Sequence, residues 1–222
     1  MDRDGARLIA DSDFADCTFD NCAFSLTQDL LRRSTIRNVT FTNTIALNCN
    51  VGPAIIEDVS VDGLETGDIL LAWSPFLKHV VFKARMGTIK INNVPAVANT
   101  SADIVDAFSM ARREFYGDVD WALDISEAVF RDFTTRGIPA SLIRRDPATQ
   151  VVVRREKAER QEWRTRVSPS ASYWLDVIDI FLAREGDDDH VLVAPKAIPR
   201  KRHLDLVHGL RQLQDLGIAE PD

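Results

Sequence analysis

The sequence predicts a mainly β protein with added α-helix: a short solenoid of stacked parallel coils, about 20–22 residues each, with a helical insertion and a C-terminal α/β cap. Three observations carry this reading. In "DFADCTFDNCAF", Asp13 to Phe24, phenylalanine stands at 14, 19 and 24, an interval of five that fits neither a helix nor a simple strand. Short apolar pairs then recur at near-constant distance along the first 130 or so residues. Beyond Pro139 the pattern changes to amphipathic helices and isolated strands.

Within each pentad a small residue lies two positions before a large apolar one, so both point to the same side of a short strand. The segments "ADCTFDN", "IRNVTFTN", "IEDVSVDG" and "LKHVVFKA" align the inward pairs Cys17/Phe19, Val39/Phe41, Val59/Val61 and Val80/Phe82, at spacings of 22, 20 and 21. "ISEAVFRD" offers Ala128/Phe130 as a fifth pair. A second inward face is expected from Cys22/Phe24, Ile45/Leu47, Ile69/Leu71 and Ile89/Ile91. Asn21, Asn43 and Gly63 stand at the corners, where the backbone needs positive φ.

These pentads resemble the pentapeptide-repeat family, most clearly over Phe14 to Phe24. The resemblance implies a right-handed square β-helix with four pentads per coil. Some members of that family present an acidic helix that looks like a DNA duplex to topoisomerases.

The solenoid is expected over residues 1–138, with a helical insertion at about 93–124. Ser101 is placed to cap a helix whose stripe is Ile104, Val105, Phe108, Ala111 and Phe115. Residues 139–222 form the C-terminal part packed on the solenoid. There "TQVVVRR" and "HVLVAP" read as strands and "EKAERQEWRTR" as a short charged helix. Ser168 and Pro169 open a strongly apolar helix that stops at Gly186, and "PRKRHLDLVHGLRQLQDLG" forms the last helix, ending at Gly217.

The net charge of −7 lies entirely in the first part: residues 1–136 hold 13 Lys and Arg against 20 Asp and Glu, and residues 137–222 hold 14 of each. An acidic solenoid argues against nucleic acid as the partner, because phosphate contacts need surplus cations. No apolar run approaches the roughly 20 residues of a membrane span. The N-terminus is acidic rather than signal-like, so no membrane association and a cytoplasmic location are expected. Cys17, Cys22 and Cys49 fit neither disulfide nor zinc spacings and are expected to be free, buried thiols.

No nucleotide loop, metal pair or nucleophile motif is present, so neither a cofactor nor a metal is expected. The function this leaves is a non-catalytic interaction module of a regulatory, immunity or resistance type. Its acidic face, Glu57, Asp58, Asp62, Glu65 and Asp68, would dock an unknown protein partner. A homodimer would form through the C-terminal helices. The alternative is a small hydrolase or lyase acting on carbohydrate in a groove beside the solenoid, with Asp120 and Asp124 as its carboxylates.

Overall fold

The computed structural model describes residues 5–95, 100–184 and 189–221; the expected helix stop at Gly186 lies outside them. The first part contains β1 (Leu8–Ala15), β2 (Thr18–Asp20), β3 (Ala23–Phe24), β4 (Thr35–Leu47), β5 (Asn50–Val51), β6 (Ile55–Thr66), β7 (Leu70–Trp73) and β8 (Phe76–Asn92). Helix α1 (Ala102–Gly117) follows, then β9 (Leu123–Asp124), β10 (Ala128–Thr134) and β11 (Ile143–Arg144). The remainder holds β12 (Gln150–Arg154), α2 (Arg155–Ala158), α3 (Ser172–Leu182), β13 (Asp189–Val193), α4 (Arg200–Asp215) and β14 (Ala219–Glu220).

Strands β1 to β11 form one eleven-stranded sheet whose longest path is β1-β4-β6-β8-β7-β5-β3. It curls into an open half-barrel, which overturns the expected regular solenoid with a small cap. The reason lies in the spacing of the parallel ladder. Val39 pairs with Val59 and Val59 with Val80, as expected, but Val39 pairs on its other side with Ser12, 27 residues back. Phe14, not Phe19, therefore lies beside Phe41. The extra length is a detour between β3 and β4 that includes a 3₁₀ turn at Leu30–Arg32.

The last coil slips in the same way. Val80 pairs with Leu123, and Ala128 pairs with Ala84, so the expected stacking of Ala128/Phe130 on Val80/Phe82 is corrected. The second face is corrected too. Thr44 and Ala46 point inward rather than Ile45 and Leu47, and Leu70 and Ala72 rather than Ile69 and Leu71. Unequal coils and strands of two to seventeen residues leave the sheet open instead of closing each coil alike.

Helix α1 occupies the expected insertion, with Ser101 at its N-cap in extended geometry. Phe108 and Phe115 set their rings against Phe76 at 6.4 and 5.4 Å. Two polar residues join them under the helix. Arg112 donates to Ser74 Oγ at 2.6 Å, and the Tyr116 hydroxyl accepts from the Leu77 amide at 3.3 Å.

The C-terminal part is larger than a cap. Strands β13-β12-β14 make an antiparallel sheet whose alternation feeds two cores. Val152, Val191 and Val193 join the core of the half-barrel, whereas Val151, Val153 and Leu192 join the core formed with α3 and α4. Trp174 of α3 donates to the Leu206 carbonyl of α4 at 2.9 Å, and a Cβ on Gly209 would approach the Trp174 ring within 2.6 Å. Glycine is what lets those helices meet. The expected charged helix divides into α2 and a 3₁₀ segment, Gln161–Arg166. Among the described residues no helix is long and apolar enough to cross a membrane.

Two stability changes follow. Phe130 is 1% exposed and stacks on Phe133 at 4.5 Å, so Phe130→Ala should cost about 3–5 kcal/mol in denaturant unfolding. Buried His190 stacks on Phe181, and desolvation, then the Arg136 charge, push its pKa down to about 4. The folded state keeps this imidazole neutral while the unfolded chain protonates it near pH 6.5. Stability from this group should therefore be present above about pH 6.5 and decline as the pH falls toward 4. His190→Phe should flatten that part of a melting-temperature profile.

Candidate functional site

The inward residues of the curled sheet stand in three columns. Phe14, Phe41, Val61 and Phe82 share the first; Phe19, Ala46 and Thr66 the second; Phe24, Val51, Ala72 and Ile91 the third. Backbone pairing fixes where each column runs, so side-chain size decides whether the space between them fills. Small residues at Thr44, Ala46, Cys49 and Ala72 leave it unfilled. The result is a cavity of about 550 Å³, within the usual range for a small-molecule site.

Exposure locates the mouth. Deep residues such as Leu77, Val80, Ile89 and Ile91 are buried, whereas Ile9, Phe14, Phe19 and Phe24 on the first strands are only half-buried. The cavity therefore opens beside β1, β2 and β3. Phe14 and Phe41 stack there at 5.2 Å, with Phe19 edge-on to both at 5.9 and 6.2 Å. Exposed Arg7 lies on the rim.

The three cysteines are free, but only Cys49 is buried: Cys17 is half-buried and Cys22 exposed. Cys22 and Cys49 share the wall of the cavity. Burial, followed by neighbouring Cys22 and Asp20, pushes the Cys49 thiol up, which disfavours its nucleophilic thiolate.

None of the carboxylates expected to form a site lines this cavity. Half-buried Glu57 lies in register between Arg37 and Lys78, and Asp62 pairs with Lys83 at 3.2 Å. Glu65 and Asp68 are exposed. Asp58 and Asp120 are brought together by His79, whose Nδ1 lies 3.0 Å from Asp58 and Nε2 2.7 Å from Asp120. The imidazole stacks on Trp121 at 4.7 Å, and the Arg144 guanidinium covers that indole at 4.0 Å. Asp124 does not join them. It accepts from the Ser126 amide and hydroxyl at 3.0 and 2.6 Å, a local turn.

Sequence reasoning read the cavity walls as inward-facing core pairs and gave His79 no role. The available signal was the run of small inward residues Ala46, Cys49 and Ala72 beside phenylalanines, which reads as voids once the register is known. Among the described residues, no group of three or more His, Cys, Asp or Glu is positioned to hold a metal ion. Comparison with models of known families, with curated proteins and with solved structures finds no match to the chain.

Hydrogen bonding to Asp120, opposed by desolvation and aided by Asp58, raises the His79 pKa; the bond to His79 lowers that of Asp120. The stabilisation from protonated His79 is complete below its unfolded value near 6.5 and is lost as the pH rises through the higher folded value. His79 has φ of 54°, so asparagine, which tolerates that geometry, is the suitable replacement. The melting-temperature deficit of His79→Asn should be greatest near pH 5.5 and shrink by pH 8.5. A deficit independent of pH would show that the imidazolium bridge contributes nothing.

Proposed function

We propose that this protein is a binding module that takes an apolar small molecule into the half-barrel. One observation carries the reading: a concavity of drug-ligand size, walled by phenylalanine and aliphatic side chains, opens at the sheet's free end. Removing apolar surface from water supplies roughly 25 cal/mol per Å². A guest here gains that energy without the sheet having to rearrange, because its walls are held by the ladder.

The acidic row supports a second reading, docking of a protein through charge, favoured by the exposure of Asp58, Glu65 and Asp68. Glu57 and Asp62 have a cation beside them on a neighbouring strand, and Asp58 is bonded to His79, which reduces the field that would steer a partner. Carbohydrate hydrolysis draws less support, since Asp120 and Asp124 engage His79 and Ser126 separately.

Phenylnaphthylamine, whose fluorescence rises in apolar surroundings, tests the cavity reading. Wild-type protein should bind it saturably with one site. Ala72→Phe projects a ring into the cavity from a wall position that is 9% exposed. The variant should lose the probe signal while its melting temperature holds or rises. Equal binding by both proteins would place the probe elsewhere and remove the basis for this function.

A further inference from the structure

The cavity wall contains one polar feature that the fold does not use. Thr44, on β4, is 2% exposed, and its Oγ1 is buried with no hydrogen-bond partner. Other buried or half-buried polar atoms on the wall have partners. Asn50 Oδ1 accepts from Trp73 Nε1 at 3.3 Å, the Cys49 thiol donates to the Leu47 and Phe19 carbonyls at 3.2 and 3.3 Å, and the Cys22 thiol donates to the Asp20 carbonyl at 3.4 Å. Among the described residues, Thr44 is thus the lining side chain that keeps a buried polar atom unpaired.

An unpaired buried hydroxyl costs on the order of 1–3 kcal/mol. Valine has nearly the same shape, suits a strand and would avoid that cost. Water is a poor substitute partner, because a buried water needs two to four polar contacts and the wall is mostly apolar. Oγ1 is itself shielded from solvent, so it would meet a guest by rotation about the single χ1 bond, which carries the hydroxyl to another staggered position.

We infer that the guest carries a hydrogen-bonding oxygen, a hydroxyl or a keto group, on an otherwise apolar body, and that Thr44 is the positioning residue that recognises it. This rests on the cavity reading above. Only the buried part of the guest is constrained in this way, because the rim at Arg7 is open to solvent.

Naphthalene and naphthol make a matched pair of probes, alike in apolar body and differing by one hydroxyl. Wild-type protein and Thr44→Val should bind naphthalene equally. Naphthol should bind Thr44→Val about 2- to 12-fold more weakly than wild type, the net worth of one hydrogen bond. Thr44→Ser, which keeps the hydroxyl, should retain most of the wild-type affinity for naphthol. Without ligand, Thr44→Val should melt at or above the wild-type temperature. Equal naphthol affinity in wild type and Thr44→Val overturns the inference and leaves the cavity reading standing. Failure of both probes to bind wild type refutes the cavity reading itself, and this inference with it. A lowered melting temperature for unliganded Thr44→Val would mean that the hydroxyl already serves the fold, and would also overturn the assignment.

Discussion

A left-handed backbone corner, repeated every fifth residue, is the constraint on which the half-barrel depends. Positive φ occurs at Asp11, Asp16 and Asn21, at Asn38, Asn43 and Asn48, at Asp58 and Gly63, and at Ser74, His79 and Ala84. Each such corner costs a non-glycine residue roughly 1–2 kcal/mol, least for Asn and Asp, whose side chains can bond locally. Stacking offsets part of that cost. Asn38 donates to Asp11 at 2.7 Å across neighbouring strands, and Gly63 lies against Asn43. Between corners the chain has room for one inward pair, so the corners determine which residues form the wall.

The same constraint explains why the interior stays open. When a core residue is small, neighbouring elements usually move inward and recover part of the lost contact. Here the wall strands are tied on both sides by parallel hydrogen bonds, as β4 is between β1 and β6, and their corners are tied as well. Ala46, Cys49 and Ala72 therefore leave space that the backbone does not reclaim. At the far end Phe130, Phe133 and Met86 fill the interior, and the cavity stops.

The sequence made part of this legible, and the reason for the remainder is physical. Val39, Val59 and Val80 could be aligned because the two coils between them differ by only one residue in length. The first coil could not, because Phe14 and Phe19 are both pentad centres: sliding by one pentad leaves the pattern unchanged. Only the length of the detour at residues 25–34 decides between them, and irregular chain has no periodic signal. Hydrophobicity also favoured the wrong parity in β4, where Ile45 and Leu47 are half-buried on the outer side while Thr44 and Ala46 face in. Helices α1 and α4 were clear, since amphipathic stripes depend on neighbours close in sequence. The cavity and the His79 bridge both join residues from several coils, so neither exists until the register is set.

Strand β8 pairs with β6, β7, β9 and β10, whereas among the described residues β1 has β4 as its sole ladder partner. In a structure where strands mainly support their neighbours, this sets a gradient of local opening. Amide hydrogens near β1 should therefore exchange by opening of the sheet's end, and those of β8 only with a much larger disruption. That end is also the mouth of the cavity. Loss of the first strands would therefore widen the entrance and leave the deep wall, built on β6 to β8, in place.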